Sequence, residues 1–474
     1  MKKIACDIFG IPFEMMESEK IAEFKGITYM TYQTFQEKYF GDNAETVPYY
    51  HYIVADEIHY LVSDSAFNPA IQRLREWLEQ PKCSVFIAIS ATIDKALPYL
   101  GYYDREWQLA GEREELTVFA RNPRDVLNRL KGMPEYLYYY KIPRKKGTYN
   151  FYVYDDIGDV VSMINQDQSE DKWLIFRSNK QKAKKELFDK LEVTKAYISA
   201  DEKEGTIMEE IIRDNKFSAK VLVATKVIDN GVSLHDGKIK NILLETTDET
   251  DFIQMLGRRR NQEEDEEPLN LFIPRMDVKY FNGQLYQNII PTLNALEQPT
   301  EYLLKGILQD QNVGQICKKY FDVVGGKLIL NPIAYDSLKD KRRFYQNLCD
   351  LLKEDENAFV KVQMKWLGYN EMPADVIWLR EEKQKNYASK LVEFLESKTG
   401  ILMDAKGQEE FRENILVFLD KILPEKFKKN SARSVGLNKI NKCLTEIGIP
   451  YKVEAKYGKK EGQRVLWIIT KEKE

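Results

Sequence analysis

Two adjacent carboxylates at the end of an apolar run are the first residues in this sequence that could do chemistry. The run is Ile53-Val54-Ala55-Asp56-Glu57-Ile58-His59. In open α/β sheets, ligands bind beyond the carboxyl ends of the strands. One carboxylate there can hold Mg²⁺, mostly through waters, and the next can orient or deprotonate an attacking water in phosphoryl transfer. An acidic pair closing a strand is also an ordinary surface feature, so its company matters. Downstream come Ser90-Ala91-Thr92, then Thr225 with Gly231 six residues on, then Gln254-Met255-Leu256-Gly257-Arg258-Arg259-Arg260. A cation facing a carboxylate–Mg²⁺ site across a cleft stabilises transition-state charge only when the cleft is closed. Such an arrangement converts nucleotide binding into domain motion. The bland readings are a satisfied, partly buried His59 and a solvated Arg258–Arg260 run.

Short apolar runs must position these groups. They are Tyr52–Ala55, Val85–Ile89, Trp173–Phe176, Val221–Ala224, Ile242–Leu244 and Leu269–Ile273, each bounded by polar or turn residues. Runs of that kind alternating with amphipathic helices predict buried parallel strands in α/β units. Ile71, Leu74, Trp77 and Leu78 lie at helical spacing between the first two, and Asp56 to Ser90 spans about one βαβ crossover. Seven tyrosines between Tyr136 and Tyr154 partly alternate and are read as strand core rather than as base-stacking platforms.

The ordered set closely resembles the superfamily-two helicases of the DExD/H-box type. Asp56-Glu57-Ile58-His59 is similar to motif II, Ser90-Ala91-Thr92 to motif III and Trp173–Asn179 to motif IV. Thr225 with Gly231 resembles motif V, and Gln254 with Gly257-Arg258 resembles motif VI. Thr31-Tyr32-Gln33 looks like motif Ib. The likeness covers about residues 1–275 and is nearest in texture to DNA-handling members. It implies two RecA-like parallel-sheet domains, the first incomplete. It also implies ATP and Mg²⁺ as cofactors, nucleic acid (DNA before RNA) as partner, and ATP-dependent strand movement as activity. Asp56 would hold Mg²⁺ and Glu57 would activate water. Arg258 would be the arginine finger and Gln254 would sense nucleotide. His59, Ser90 and Thr92 would couple nucleotide state to movement. Thr31, Tyr32, Thr225 and Gly231 would meet nucleic acid.

Two departures stand out. No G-x-x-x-x-G-K-[ST] occurs: Gly237-Lys238 is followed by Ile239, Gly326-Lys327 by Leu328, and Ser397-Lys398-Thr399 has no glycine cradle. A phosphate-binding loop of this family would precede Thr31 by roughly two βα units, about 60 residues. The expectation is therefore a chain that starts inside the first RecA-like domain and is not a competent ATPase by itself. Truncation, a separate chain supplying the P-loop half, and a degenerate module that only binds nucleic acid all fit. An in-frame Gly-rich loop encoded upstream of Met1 would separate the first from the others. The second departure lies in motif VI, where the second arginine position falls on Asn261 and Arg260 is displaced by one.

The expected domains are 1–110 (partial RecA-like domain 1), 111–150 (connection), 151–275 (RecA-like domain 2), 276–430 (mostly helical accessory region) and 431–474. In the accessory region Tyr387, Leu391, Phe394 and Leu395, then Phe411, Ile415, Phe418, Leu419 and Ile422, mark helices. Gly325-Gly326 marks a hairpin turn. The last segment reads as a helix (Leu437, Ile440, Leu444, Ile447) and a hairpin whose turn is Gly458–Gly462, a winged-helix-like α+β module. Net charge is −4 overall, yet residues 425–474 carry thirteen Lys/Arg against six Glu. A basic tail on an acidic body suggests a polyanion partner, with Lys459 and Lys460 at the wing tip. The alternative is a basic domain packed on the acidic body. Five scattered cysteines without a C-x-x-C predict neither disulfides nor zinc. No apolar run reaches the ~18 residues a membrane span needs, so the expectation is a cytoplasmic protein with no membrane partner.

Overall fold

The computed structural model describes residues 21–24, 26–41, 44–65, 68, 71–79, 83–90, 92, 96, 103–110, 113–119, 138–139, 148–199, 206–225, 233–260, 268–308, 320–324, 327–427, 435–456 and 465–471. Of the residues singled out above, Ala91, Tyr136, Gly231, Asn261, Gly325, Gly326 and the turn 458–462 with Lys459 and Lys460 lie outside this set. The fold is mixed α/β, and the chain divides into two units, Met1–Phe151 with Val161–Asp375 and Tyr152–Val160 with Val376–Glu474.

The first unit carries the acidic dyad on the strand Tyr50–Ala55, which pairs in parallel with Cys83–Ala88. The helix Ile71–Glu79 makes the crossover. Strand alternation sorts the side chains. Ala55 packs into a core of Ile58, Leu61, Ile71, Leu74 and Leu78, with Phe86 and Ala88 against it. Tyr52 (68% exposed) and Val54 (56%), with Val85 and Ile87 opposite, form an apolar outer face. Paired parallel strands are ordinarily covered on both sides, so this face is the kind a further protein layer covers. The strand Tyr103–Ala110, at the end of the segment expected as the first domain, pairs antiparallel with Arg113–Phe119 in the segment expected as a connection, and Arg113–Phe119 pairs with Tyr138–Tyr139.

The largest element is a seven-stranded parallel sheet ordered Lys195–Ile198, Val221–Ala224, Lys172–Arg177, Ile239–Glu245, Leu269–Pro274, Tyr149–Tyr154, Ile377–Trp378. All four of the apolar runs predicted from Trp173 onward to Ile273 are strands of it. The strand Lys172–Arg177, third in this order, is flanked by Val221–Ala224 and Ile239–Glu245, and Trp173 to Phe176 are buried. Asp167 anchors the entry to that strand, accepting from the Trp173 indole at 2.9 Å and pairing with Lys220 at 3.0 Å. Burial would raise its carboxyl, but the bonds from Ser169, Trp173 and Lys220 outweigh burial and hold it well below the usual carboxylate range. A depressed carboxylate contributes stability that is present above its unfolded pKa and lost as pH falls through its folded one. Asp167→Asn should therefore cost about 1 kcal/mol after allowing for solvent screening. The wild-type advantage should be complete above pH ~4 and shrink below it. Urea unfolding followed by tryptophan fluorescence at several pH values checks this.

Helices from 278 to 366 share a further core of Phe281, Leu285, Leu293, Leu338, Tyr345, Leu348 and Phe359. The hairpin expected at 320–330 is present, Phe321–Val324 against Lys327–Leu330.

In the second unit, helices Leu379–Lys398 and Ala405–Ile422 share one core with the helix Leu437–Glu446 and the hairpin Tyr451–Lys456/Leu466–Lys471. Leu391, Leu395, Phe411, Ile415, Ile440, Leu444, Val453 and Ile469 are its centre. The Asn441 amide clasps both polar groups of Val453, donating to its carbonyl at 2.9 Å and accepting from its N–H at 2.8 Å. That bond pair docks helix onto hairpin as a strand neighbour would. Cys83, Cys349 and Cys443 are free thiols. Among the described residues no helix is long and apolar enough to cross a membrane.

Candidate nucleotide and coupling site

The dyad sits where the strand Tyr50–Ala55 ends. Glu57 adopts φ 51°, a left-handed conformation uncommon outside glycine and costing on the order of 1 kcal/mol or more. Asp56 Oδ1 accepts the Glu57 N–H at 3.0 Å, which fixes the turn. The strained residue is thus one whose side chain is expected to do chemistry. Below the turn, the Ile58 N–H donates to the Ile89 carbonyl and the Ile89 N–H to the Ala55 carbonyl, both at 2.9 Å. Ser90 is thereby brought under His59.

His59 is buried. Its Nδ1 lies 2.9 Å from the Ser90 hydroxyl and 3.2 Å from Glu57 Oε2. Its Nε2 meets the side-chain amide of Gln254. With the ring neutral, one tautomer suits these partners: Nδ1–H donates toward the carboxylate, and Nε2 accepts from the Gln254 N–H. Ser90 also accepts from the Thr92 N–H at 3.0 Å, and the buried Thr92 hydroxyl has no hydrogen-bond partner among the described residues. One imidazole therefore joins the acidic turn, the Ser90–Thr92 turn and the helix Glu249–Gly257.

The two carboxylates are driven apart electrostatically. The His59 bond, with further help from the charges of His59, Arg258 and Arg260, holds the Glu57 carboxyl below its ordinary value despite burial. Burial, then the neighbouring Glu57 charge, raises that of Asp56. A cation beside Asp56 would relieve both effects. Among the described residues no cluster of three His, Cys, Asp or Glu forms a metal cage. Asp56 alone, completed by phosphate oxygens and water, is a donor set suited to Mg²⁺.

The basic turn is set by the helix Glu249–Gly257, capped by Asp248 accepting from the Thr250 and Asp251 N–H groups. Gln254 and Arg258 are buried on it, and Arg259 follows, also buried. The Arg258 carbonyl accepts from Leu234 N–H at 2.7 Å, and the Arg260 N–H donates to the Leu234 carbonyl at 3.0 Å. The Arg260 side chain is exposed, with Nε 3.4 Å from the Ser233 hydroxyl. Arg177, in the stretch likened to motif IV, ties its strand to the neighbouring strand that leads to this helix: it is buried and forks onto Glu245, the last residue of Ile239–Glu245, at 2.8 and 3.0 Å.

The remaining expected residues fall as follows. Thr225 is buried at the end of the strand Val221–Ala224, its N–H on the Ile198 carbonyl at 3.1 Å. Thr31 is the N-cap of the helix Tyr32–Phe40, accepting from Thr34 N–H. Tyr32 donates its hydroxyl to the Asp56 carbonyl at 2.7 Å and stacks on Tyr60 with ring centroids 4.7 Å apart. Both hydroxyls expected at a nucleic acid are engaged within the protein. Burial, then the Asp56 and Glu57 charges, raises the Tyr32 phenol, so it stays a donor. The Tyr32 support of Asp56 and the Arg177–Glu245 fork were not anticipated, whereas the displaced Arg260 acts on Glu57 through its charge.

No family model matches the sequence, and no curated protein does. Solved structures that it is similar to include DEAD-box and DExH proteins. One is S. cerevisiae Dbp5 bound to RNA and ADP BeF3, at 16% identity and TM-score 0.30, covering 49% of this chain and 55% of that one. Another is the ATP-dependent Type ISP restriction-modification enzyme LlaBIII bound to DNA, at 12% and 0.31, covering 88% and 32%. A third is the E. coli DExH-box NTPase HrpB, at 10% and 0.26, covering 84% and 45%. The chain thus spans about half or less of the length of these three.

Proposed function

We propose that this chain is the coupling and strand-handling part of an ATP-driven nucleic-acid helicase or translocase, with DNA favoured over RNA on the texture of its motifs. The observation that carries the reading is the His59 clasp, which links Glu57 and Ser90 on one side to Gln254 on the other. A contact of that kind makes a carboxylate's environment depend on how two sheets sit. In this reading Asp56 holds Mg²⁺, which when bound neutralises phosphate charge. Glu57 orients and deprotonates water, and Arg258 answers charge developing on the phosphate. Thr225 and Gly231 face the nucleic-acid backbone, with Thr31 and Tyr32 in support.

Tight nucleotide binding also needs a cradle of backbone amides and a lysine. Since the sequence contains no G-x-x-x-x-G-K-[ST], the chain alone is proposed to be a poor ATPase. The same absence favours one second reading, a helicase-shaped module that binds nucleic acid without turnover. Titrating labelled single-stranded DNA, single-stranded RNA and duplex across a range of salt, with and without ATP, tests the common part. Binding to none of them at 50 mM salt would remove both readings. Binding by a completed protein that never hydrolyses ATP would leave the second.

The basic tail gives a separate expectation. Lys459→Glu with Lys460→Glu should weaken binding uniformly across sequences and reduce the slope of log affinity against log salt by about one to two. An unchanged slope would assign the tail to packing instead.

A further inference from the structure

The region 276–375 was assigned no chemistry by sequence, yet its longest helix touches both halves of the coupling site. That helix is Pro332–Glu354. At its start Asn331 is almost completely buried and does three things at once. Its Oδ1 caps the helix on the Ala334 N–H at 3.2 Å, its Nδ2 donates to the Ser65 carbonyl at 2.8 Å, and its own N–H donates to the Tyr320 carbonyl at 2.7 Å. Ser65 follows the short helix Tyr60–Ser63 that begins at His59. The next helix residue but one, Ile333, is fully buried in the core beneath the acidic dyad, beside Ile58 and Leu61. This end of the helix belongs to the acidic half.

Fourteen residues on, about 20 Å along the axis at ~1.5 Å per residue, the same helix meets the other half. The Tyr345 hydroxyl lies 2.6 Å from the Thr247 hydroxyl. Thr247 directly precedes Asp248, the cap of the helix that carries Gln254 and Arg258. Tyr345 is buried, and burial pushes its phenol up to about 12, so it holds its proton and its bond at neutral pH. Two more contacts secure this side: Gln363 donates to the Pro274 carbonyl at 3.1 Å, and Phe252 meets Trp366 edge-on with centroids 5.3 Å apart.

We infer that the helix Pro332–Glu354 is a strut that sets the separation between Glu57 and Gln254/Arg258, with Asn331 and Tyr345 as its positioning residues. Helices propagate displacement because their backbone bonds hold length, whereas a loop of similar span would not. Any opening of the gap must break the Thr247–Tyr345 bond, release Asn331 from Ser65, or bend the helix. The inference rests on the proposed coupling role for its meaning, and its geometry can be tested without it.

The test uses the full chain with spin labels carried by unnatural amino acids at the exposed positions Glu76 and Glu192, one on each half. The wild type should give one narrow distance distribution. Asn331→Ala and Tyr345→Phe should each broaden it or add a second population, shifting the open–closed ratio by about threefold to tenfold, as loss of one buried hydrogen bond implies. Thr247→Val should match Tyr345→Phe, and the double variant should add nothing, because both remove the same bond. Cys349→Ala, which loosens the same helix in its core one turn beyond Tyr345 and leaves both anchor hydrogen bonds in place, should lower stability and leave the distribution narrow. An unchanged distribution in both anchor variants, or equal broadening by Cys349→Ala, would overturn the strut. If the distributions broaden as expected but no nucleic acid is bound, the strut stands and the proposed function falls.

Discussion

On the function proposed above, replacing Glu57 by glutamine should lower nucleic-acid-stimulated ATP turnover by roughly 10²- to 10⁴-fold, the range for loss of a positioned acid–base group. The substitution is close to isosteric. The glutamine carbonyl can still accept from His59 Nδ1, which lies 3.2 Å from the carboxylate now, so the clasp to Ser90 and Gln254 should survive. What is lost is charge and basicity at one oxygen pair. Nucleic-acid affinity should stay within about twofold. The depressed Glu57 carboxyl adds a second signature. Since His59 and the neighbouring arginines hold it below the ordinary range, the acid limb of turnover should lie below pH ~4.3, the usual glutamate value. Steady-state ATPase with a pH series measures both. Turnover within threefold of wild type would show that another group activates the water.

The parts of this fold that the sequence announces are those with local signatures. Apolar runs bounded by turn residues gave the strands carrying Trp173, Val221, Ile242 and Leu269, because a strand buried on both faces must be apolar at every position. Helical spacing likewise gave Ile71–Glu79 and Ala405–Ile422. Asp56-Glu57 at a strand end was legible for the same reason. What was not legible is the set of single long-range bonds that give those residues a purpose. Gln254 and His59 are 195 positions apart, and Tyr32 meets Asp56 through a backbone carbonyl that carries no sequence identity. Asn331 reads locally as a cap before proline, which it is, while its donation to Ser65 leaves no periodic trace. The pairing of Tyr103–Ala110 with Arg113–Phe119 was not legible because charged clusters such as Asp104-Arg105-Glu106 and Arg113-Glu114-Glu115 leave neither a continuous apolar run nor a clean alternation.

Arg258→Ala should be the other severe substitution, with turnover reduced by roughly 10³-fold or more if it answers phosphate charge as an arginine finger does. Its placement argues for it over its neighbours. It is buried at the end of the helix whose Gln254 touches His59, and its carbonyl is fixed by Leu234. Arg260 is exposed and reaches Ser233. Both charges act on Glu57, so both variants should move the acid limb of the pH profile upward, because removing a cation lets the carboxylate protonate sooner. Only Arg258→Ala should also collapse the rate at neutral pH; Arg260→Ala should cost about tenfold or less. Arg258→Lys should recover little, since an ammonium lacks the planar fork that grips phosphate oxygens. Measuring kcat and the pH profile for all three separates a group that meets the reacting phosphate from one that only tunes the base. If the two alanine variants lose rate equally, the displaced arginine shares the role, and the finger is a pair.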